Sequence, residues 1–326
     1  MFKIVITDYV NTPTIEKKIF GKDFNIVCLD QEDEKLFSNE IIDADVILIW
    51  HAKMTKVTLK RLNNCKLIVK YGTGYDNINV EDCSDFKIPF CNTPDYGVEE
   101  VADTAVALML NSIRQIKYYD SFSKRIESGW QNSSELELKR TNKHKLGIIG
   151  CGRIGTAVSQ RMKPFGLDIG FYDPFKPSGY EKAIGIKRFE TLEELIEFSS
   201  IITLHTPLND KTRSLINKDL IKTFNKNTIL VNTSRGRVID NLDDIYNGLK
   251  NNNISFIGLD VLPEEPPSKS EKLIEQWKEN GEISDRIIIN PHSAYYSLDS
   301  WPEMREKASM NAKNYILSGI LKNRIN

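Results

Sequence analysis

The sequence predicts an α/β fold with two Rossmann-like or flavodoxin-like domains, each a doubly wound parallel sheet, and a cleft between them. The first observation is length, because 326 residues exceed the roughly 250–300 residues at which a single core stops growing. The second is the alternation of short β-rich runs with helix-like segments, which is typical of α/β domains. The third is a Pro/Gly turn at residues 94–97 that interrupts the alternation and predicts a boundary there.

The first part of the chain contains five short runs that are predicted to be strands. They cover residues 4–7, 26–29, 46–50, 67–69 and 88–91. After the turn, apolar residues recur at helical spacing from Val98 through about Ile113, which predicts a long buried helix. Residues 127–144 are polar and interrupt the alternation of strand-like and helix-like segments. We therefore expect an extended arm or loop there, with Trp130 as its candidate anchor.

The alternation resumes after Lys145 and predicts a second sheet. Its strands are expected at residues 146–149, 169–172, 201–204, 228–231, 254–259 and 287–289. Thr191 and Glu194 have the spacing of a capping box ahead of Leu195, which predicts a crossover helix and therefore parallel strands. Residues 297–320 are helical in pattern and have no strand to follow, so their apolar face must pack on a domain formed earlier in the chain.

Composition excludes several classes of function. Lys plus Arg number 44 and Asp plus Glu number 45, so no global positive field favours nucleic acid or anionic lipid. The N-terminal residues turn polar after a handful of apolar positions, unlike a signal peptide, and no apolar stretch is long enough for a transmembrane helix. The five cysteines lack the paired spacing of metal ligands, so we expect reduced thiols, no metal site and a cytoplasmic location.

Residues 146–155 carry the strongest local signal, an apolar strand that runs into G-x-G-x-x-G and then a helix-compatible segment. In such a unit Gly150 makes the tight turn, Gly152 lets the backbone approach a pyrophosphate, and Gly155 lets helix and strand pack closely. Asp173 ends the next predicted strand about 20 residues onward, where a carboxylate accepts hydrogen bonds from the adenosine ribose. The pattern predicts dinucleotide binding.

The cofactor is predicted to be NAD. Asp173 repels a 2′-phosphate, and no arginine follows it directly to favour NADP. A phosphate-transfer P-loop is excluded because no G-K-[ST] follows the glycines. The alternative interpretation is a structural glycine turn beside a solvated Asp173.

Polar residues follow four of the predicted strands, at the edge where open parallel sheets bind ligands. They are His205, residues 232–236 with Thr233, Ser234 and Arg235, Asp260, and His292. Reduction of a 2-oxo acid needs a cation that polarises the carbonyl and an acid that protonates its oxygen. Arg235 is the candidate cation, since a planar guanidinium can hydrogen-bond to two oxygens at once. His292 is the candidate acid. The alternative for Arg235 is a structural ion pair.

A carboxylate beside His292 would stabilise its imidazolium form and orient the ring. Glu265 is the candidate partner and Glu264 its nearest competitor. For an isolated histidine, a structural role would be the better interpretation. Because His292 occurs together with the other polar residues that follow predicted strands, a catalytic role is favoured instead. The four histidines are dispersed and no H-E-x-x-H occurs, so a metal hydrolase is not favoured.

Seven ordered motifs together resemble the D-isomer-specific 2-hydroxyacid dehydrogenases, which include phosphoglycerate, glycerate and formate dehydrogenases and the C-terminal-binding-protein co-repressors. The resemblance spans most of the chain. Its markers are the glycine fingerprint and residues 71–78, 98–104, 205–208, 232–236, 260–266 and 291–294.

The resemblance implies that Arg235, Glu265 and His292 are the catalytic residues, and that the backbone amides of Gly72, Thr73 and Gly74 bind the substrate carboxylate. It further implies cofactor contacts from Thr104, Arg153, Ile154, Asp173, Thr206, Pro207, Thr212, Thr233 and Asp260, beside His205, Ser234 and the glycines. Formate is disfavoured, because formate dehydrogenases place glutamine where this chain has Glu265.

The family also implies a domain arrangement and an assembly. Residues 1–97 plus 294–326 would form a flavodoxin-like substrate-binding domain, and residues 98–293 a Rossmann NAD-binding domain. Members are commonly homodimers through the NAD-binding domain, which makes residues 127–144 a candidate part of the interface.

Two differences between this chain and the family pattern bear on the identity of the substrate. Tyr295 and Tyr296 follow the histidine motif where many members have small residues, and Lys70 stands where the co-repressor-like branch has arginine. Both features point to that branch and make Lys70 and Tyr295 candidate substrate contacts. Tyr295 is predicted either to line a pocket for an apolar substrate tail or simply to pack. The competing function is that of an NAD(H)-sensing, co-repressor-like binding protein.

Overall fold

The computed structural model describes residues 1–124, 126, 130, 138–279 and 281–326. This part of the chain divides into two compact units. Unit 1 consists of Met1–Gly97 and Tyr296–Asn326, and unit 2 consists of Val98–Tyr295. Within the described ranges, no helix is both long and apolar enough to cross a membrane.

The first segment of unit 1 folds into a parallel sheet flanked by short helices. Its elements are β1 (Phe2–Ile6), α1 (Thr14–Phe20), β2 (Phe24–Cys28), β3 (Val46–Ile49), α2 (Lys56–Leu59), β4 (Leu67–Lys70), α3 (Val80–Asp85) and β5 (Phe90–Cys91). The five strands are ordered β2-β1-β3-β4-β5 and pair in parallel. Strands β3 and β4 are buried along their whole length, as expected for strands covered on both faces.

Unit 2 contains a parallel sheet of seven strands. Its elements are α4 (Val98–Arg114), α5 (Ile116–Ser123), β6 (Lys145–Ile149), α6 (Arg153–Met162), β7 (Asp168–Tyr172), α7 (Tyr180–Ile184), β8 (Lys187–Arg188), α8 (Leu192–Phe198), β9 (Ile201–Leu204), α9 (Lys218–Lys222), β10 (Thr228–Asn232), α10 (Leu242–Lys250), β11 (Ile254–Leu259), α11 (Lys272–Lys278) and β12 (Ile287–Ile289). The strand order is β12-β11-β10-β9-β6-β7-β8. The order reverses at β6, so the carboxyl ends of β6 and β9 form a switch point where such sheets bind ligands.

The chain returns to unit 1 through its last helix, α12 (Ser300–Ser318). Met304, Ala308 and Ala312 of this helix are buried. The buried Glu16 of α1 accepts two hydrogen bonds from the Arg305 guanidinium, 2.8 Å from Nε and 2.5 Å from Nη2. The terminal helix is therefore fixed to α1 by apolar packing and by a buried ion pair.

Most strand positions agree with the sequence expectation to within two residues, with two instructive differences. Strand β8 was not predicted, because two polar residues, Lys187 and Arg188, at the sheet edge carry no apolar signal. Strand β5 begins at Phe90 rather than residue 88, since Pro89 has no N–H to donate to the neighbouring strand. The capping box is present, because the Thr191 hydroxyl and the Glu194 carboxylate each accept the other's backbone N–H.

The predicted arm falls largely outside the described residues. Residues 127–129 and 131–137 are not described. Trp130 is 59% exposed, so its ring does not serve as a buried anchor within the described structure.

Candidate functional site

The turn between β6 and α6 has the geometry that its three glycines predict. Gly150 has φ +88°, and a Cβ there would lie 2.8 Å from the carbonyl carbon of His205. A Cβ on Gly155 would lie 2.2 Å from the Gly150 oxygen, so helix and turn touch directly. Gly152 is the opposite case, because a Cβ there would meet nothing within 4 Å. The backbone at Gly152 therefore borders open space at the first turn of α6, where helix N–H groups favour an anion.

Asp173, at the end of β7, is fixed beside this turn. Its Oδ2 accepts a hydrogen bond from the backbone N–H of Cys151 at 2.9 Å, and its Oδ1 accepts one from Phe175 at 3.0 Å. Arg153 at the start of α6 is exposed, and Ile154 is half-buried. The carboxylate thus lies next to the glycine turn, as ribose recognition requires.

Three buried polar atoms that lack a hydrogen-bond partner within the described structure lie after β9 and β10. They are His205 Nδ1, Thr206 Oγ1 and Thr233 Oγ1. Strands β9 and β10 are neighbours, with Leu204 paired to Asn232. Because buried polar groups are nearly always hydrogen-bonded in a functional protein, these atoms indicate a polar ligand at this edge, which fits NAD.

The remaining predicted cofactor contacts of unit 2 are held by local hydrogen bonds. Thr212 Oγ1 donates to the Pro207 carbonyl at 2.6 Å and accepts from the Asn209 N–H at 2.9 Å, which closes the loop after β9. Ser234 Oγ donates to Asn232 Oδ1 at 2.8 Å. Thr104 is half-buried on α4.

Burial sets the pKa of His205. It raises the free energy of the charged ring and lowers the pKa of His205 to about 3. Its Nε2 lies 2.9 Å from Thr203 Oγ1. The ring is therefore neutral at physiological pH and presents hydrogen-bonding capacity without charge.

The structure pairs His292 with Glu265. His292 Nδ1 and Glu265 Oε2 are 2.8 Å apart, and Glu265 Oε1 accepts the backbone N–H of Leu262 at 2.8 Å. Glu264 and Glu265 are both exposed, and it is Glu265 whose carboxylate contacts His292. Burial raises the pKa of Glu265, but the His292 hydrogen bond and charge, the Leu262 N–H and the Arg235 charge outweigh it, so the pKa lies below its ordinary value. Glu265 is therefore an ionised partner, and Nε2 of His292 is the ring nitrogen left for a substrate.

Arg235 lies directly after β10 in a turn that Asn232 organises. Asn232 Nδ2 donates to the Arg235 carbonyl at 3.0 Å, and Asn232 Oδ1 accepts the Ser234 N–H at 3.0 Å. Sequence analysis did not single out Asn232, although asparagine after a strand is a common turn former. Arg235, Glu265 and His292 follow the neighbouring strands β10, β11 and β12, so all three lie at the carboxyl edge of the unit 2 sheet. The Arg235 charge also contributes to the lowered pKa of Glu265.

Asp260 has a structural task beyond the predicted cofactor contact. Its carboxylate is buried and accepts the backbone N–H groups of Ser293 and Ala294 at 3.0 Å each, while its carbonyl accepts that of His292 at 2.8 Å. His292 has φ +53°, a left-handed conformation that is uncommon for a residue with a side chain. Asp260 therefore holds the histidine loop in a conformation that the loop would not favour alone.

The candidate substrate residues are divided between the units. In unit 1, Gly72 has φ +102°, and a Cβ there would come 3.3 Å from Tyr96 Oη. Thr73 is exposed and Gly74 half-buried. Lys70 is only 5% exposed, and its ammonium donates to the Trp50 carbonyl. Tyr295, the other candidate, belongs to unit 2 and is half-buried.

Metal ligands and thiols give no further site within the described residues. There, no cluster of three or more His, Cys, Asp or Glu side chains is arranged to hold a metal ion. All five cysteines are free. Burial raises the pKa of Cys151, inside the glycine turn, to about 11, so this thiol is protonated and unreactive at neutral pH.

Unit 2 thus combines a parallel sheet whose strand order reverses, a glycine turn with an acidic partner, and an Arg, a Glu and a His at the same sheet edge. These are the features of a dinucleotide-binding domain. The sequence model of the "D-isomer specific 2-hydroxyacid dehydrogenase, NAD binding domain" matches residues 106–294. C-terminal-binding protein 1 of Caenorhabditis elegans is 32% identical over 296 residues, covering 89% of this chain and 40% of that protein. D-3-phosphoglycerate dehydrogenase of Methanocaldococcus jannaschii is 33% identical over 293 residues, covering 90% of this chain and 53% of that protein. The chain spans about half or less of the length of these two relatives.

Solved structures agree with the sequence relatives. A D-lactate dehydrogenase from Aquifex aeolicus, complexed with NAD and lactic acid, has a TM-score of 0.84 at 27% identity and covers 99% of this chain, with 98% of its own chain covered. A glyoxylate reductase from Paecilomyes thermophila has a TM-score of 0.86 at 24% identity, with the same coverages, and shares the fold. The chain belongs to the D-isomer-specific 2-hydroxyacid dehydrogenase family. The predicted fold class and the prediction of NAD are confirmed.

Proposed function

We propose that this chain interconverts a 2-oxo acid and the corresponding D-2-hydroxy acid with NAD as hydride carrier. The observation that carries the proposal is the 2.8 Å contact of His292 with an ionised Glu265, within range of the Arg235 charge and on the sheet that carries the nucleotide fingerprint. An NAD(H)-sensing binding protein, the competing interpretation, would need no such ordered acid–base pair. Asp173 supports NAD over NADP, because a carboxylate repels a 2′-phosphate.

The roles of the chain's residues follow from their chemistry. Arg235 binds the carbonyl oxygen and stabilises the negative charge that develops there. His292 donates a proton from Nε2 to that oxygen in the direction of reduction, and accepts it back in the direction of oxidation. Glu265 stabilises the imidazolium and keeps Nδ1 engaged. Bound NADH supplies the hydride, and bound NAD⁺ accepts it.

The remaining assignments follow the same proposal. Unit 2 would be the NAD-binding domain, with contacts from Gly150, Gly152 and Asp173 and from the residues after β9, β10 and β11. Unit 1 would be the substrate-binding domain, with the amides of Gly72, Thr73 and Gly74 receiving the substrate carboxylate. Homodimerisation, with a contribution from residues 127–144, and a cytoplasmic location stay predictions.

The test is NADH oxidation, followed by absorbance, with a panel of 2-oxo acids and with NADPH in parallel. We expect turnover with NADH and much weaker use of NADPH. Arg235→Ala and His292→Ala should each lose about 10²–10⁴ in kcat/KM, while their Kd for NADH stays within a few-fold of the parent value. His144→Ala is the matched control and should keep full activity.

Two results would contradict the proposal. Firm NADH binding without turnover of any acid in the panel would favour the sensing function instead. Comparable kcat/KM with NADPH would refute the assigned role of Asp173.

A further inference from the structure

The turn that follows β4 carries backbone N–H groups that the main chain does not use. Strand β4 ends at Lys70, and the turn contains Gly72, Thr73 and Gly74. Within the described part of the chain, none of these three residues donates its backbone N–H to a main-chain carbonyl. Thr73 is exposed and Gly74 is half-buried, so an acceptor from outside the protein can reach the turn.

Two carbonyl groups of the same turn are held by the segment that follows β5. The Gly72 carbonyl accepts the backbone N–H of Thr93 at 3.0 Å, and the Thr73 carbonyl accepts a hydrogen bond from Asn92 Nδ2 at 2.7 Å. Asn92 and Thr93 are only 6% and 3% exposed. Both bonds therefore form away from competing water, where a hydrogen bond is electrostatically stronger than at the surface.

These two bonds set the direction of two N–H groups. In a planar trans peptide, the carbonyl of one residue and the N–H of the next point to opposite sides. The Gly72 carbonyl therefore fixes the N–H of Thr73, and the Thr73 carbonyl fixes the N–H of Gly74. Both N–H groups point away from the segment that follows β5.

The end of β4 obeys the same rule but directs its N–H into the sheet. The Lys70 carbonyl accepts the Thr93 hydroxyl at 3.0 Å, and the Tyr71 N–H donates to the Ile49 carbonyl of β3 at 2.8 Å. Strands β3 and β5 lie on opposite sides of β4. The peptide that the Thr93 hydroxyl holds thus offers no N–H to a ligand, whereas the peptide that Asn92 holds does.

Asn92 is itself held in place by the last residues of the chain. Its backbone N–H donates to the Asn323 carbonyl at 3.4 Å, and the Ile325 N–H donates to the Phe90 carbonyl of β5 at 2.9 Å. The amide of Asn92 is therefore oriented before any ligand arrives, which lowers the entropy cost of binding.

We propose that Asn92 is a positioning residue, which aims the N–H groups of Thr73 and Gly74 at the carboxylate of the substrate. The inference rests on the proposed function and adds a residue that acts on the substrate through the turn. Successive N–H groups that point to one side of a turn form an anion-binding concavity. Without the Asn92 amide, the peptide between Thr73 and Gly74 is free to rotate, and the turn loses affinity for an anion.

The test is the Kd of oxamate for the complex of the full chain with NADH, followed by NADH fluorescence. Oxamate carries the carboxylate of a 2-oxo acid beside a carbonyl that NADH does not reduce, so the measurement does not depend on turnover. Asn92→Leu and Asn92→Ala both remove the donor, with different changes in volume. Each should raise the Kd of oxamate about 10-fold or more, as expected when a charged group loses an oriented hydrogen bond. The Kd for NADH should stay within about threefold.

Thr93→Val is the contrasting variant. It removes the hydroxyl from the Lys70 carbonyl but keeps the backbone N–H that holds Gly72. Like the Asn92 variants, it leaves a carbonyl without its partner and should lower the free energy of unfolding. The Kd of oxamate should nevertheless change by less than about threefold. Asn63→Ala, which removes an exposed amide 3.4 Å from Asp43, is the control and should match the parent.

Kinetics give a second readout. With the 2-oxo acid of the panel that has the highest kcat/KM, Asn92→Leu should raise KM about 10-fold or more and leave kcat within about threefold. The carboxylate is bound in the ground state and in the transition state alike, and the loss of such uniform binding appears in KM. A merely structural defect would lower kcat as well.

The outcomes separate the two proposals. A folded Asn92 variant that binds oxamate as tightly as the parent, or an equal loss of affinity in Thr93→Val, would overturn the role of Asn92 and leave the dehydrogenase function standing. A parent protein that does not bind oxamate would overturn the carboxylate turn and the role of Asn92 together. Binding of oxamate without turnover of any acid in the panel would overturn the dehydrogenase function and not the role of Asn92.

Discussion

At the scale of residues, the contact with Glu265 places a fixed negative charge beside the His292 ring that is proposed to transfer the proton. The hydrogen bond engages Nδ1 of His292, so Nε2 is the nitrogen that is left for a substrate. The Arg235 charge contributes to the lowered pKa of Glu265, which keeps this partner ionised over the pH range of ordinary assays.

The first prediction concerns this pair. Glu265→Gln removes the negative charge that faces Nδ1 of His292, so 2-oxo acid reduction should be slower than in the parent protein. We expect kcat at neutral pH to drop about 10- to 100-fold. The measurement is kcat against pH, with Glu264→Gln as the matched control on the exposed neighbour. An unchanged kcat in Glu265→Gln would show that the carboxylate does not govern the histidine.

The second prediction concerns stability and His205. Its pKa is 6.5 when unfolded and about 3 when folded, so below 6.5 the unfolded chain binds a proton that the folded chain does not. Stability is therefore lost as pH falls from 6.5 toward 3, by up to about 1 kcal/mol per pH unit from this group. Urea unfolding of the parent and of His205→Gln, at about pH 7 and about pH 5, measures the difference. Equal losses of stability in both proteins would contradict the assignment, and His51→Gln serves as an exposed control.

At the scale of elements, local sequence signals predicted the parts of the site that local geometry determines. The glycine turn needs only a strand, three small residues and a helix, and all of these lie within residues 146–155. The capping box of α8 is equally local. The pairing of Asp260 with the amides of Ser293 and Ala294 spans more than 30 residues, and no spacing rule predicts it. From the residues alone Glu265 was the candidate partner with Glu264 as its nearest competitor, and the family resemblance pointed to Glu265. The coordinates add its contact with His292.

The contacts among the rings of Trp50, His51 and Trp301 show the same limit. Trp50 and His51 follow an apolar run, and no spacing rule links them to Trp301. Their proximity to Trp301 depends on α12 returning across about 250 residues to pack on the first segment. Only the sheet order and that return bring the rings together.

The third prediction separates folding from binding at the glycine turn. Gly152→Ala adds a methyl group where the protein has open space, so the free energy of unfolding should change by less than about 1 kcal/mol. The same methyl group lies where a pyrophosphate would approach, and the Kd for NADH should rise about 10-fold or more. Gly155→Ala is the contrasting variant, because its Cβ would overlap the Gly150 carbonyl and destabilise the fold as well. Thermal unfolding and NADH titration of both variants measure the two effects. Tight NADH binding by Gly152→Ala would place the pyrophosphate elsewhere.

At the scale of the whole molecule, the chain builds one unit from its two ends and the other from its middle. All the proposed cofactor contacts lie in unit 2, and the Gly72–Gly74 turn lies in unit 1. Unit 1 depends on α12, since this helix contributes apolar packing, Trp301 and the Arg305–Glu16 ion pair. A substitution that breaks the Arg305–Glu16 ion pair should therefore destabilise unit 1 more than unit 2.

The last prediction tests this division through Arg305→Ala. Glu16 is fully buried and accepts hydrogen bonds from Arg305 and from the Tyr71 hydroxyl, so the variant leaves a carboxylate without its cation. Removing one partner of a buried pair costs about 3–5 kcal/mol, and the loss should appear as earlier unfolding and faster hydrogen exchange in α1, β4 and α12. The Kd for NADH should stay within about threefold, because the proposed cofactor contacts belong to unit 2. The double variant Glu16→Gln/Arg305→Met removes both charges and should recover part of the lost stability. A parallel loss of NADH affinity in Arg305→Ala would show that nucleotide binding needs an intact unit 1.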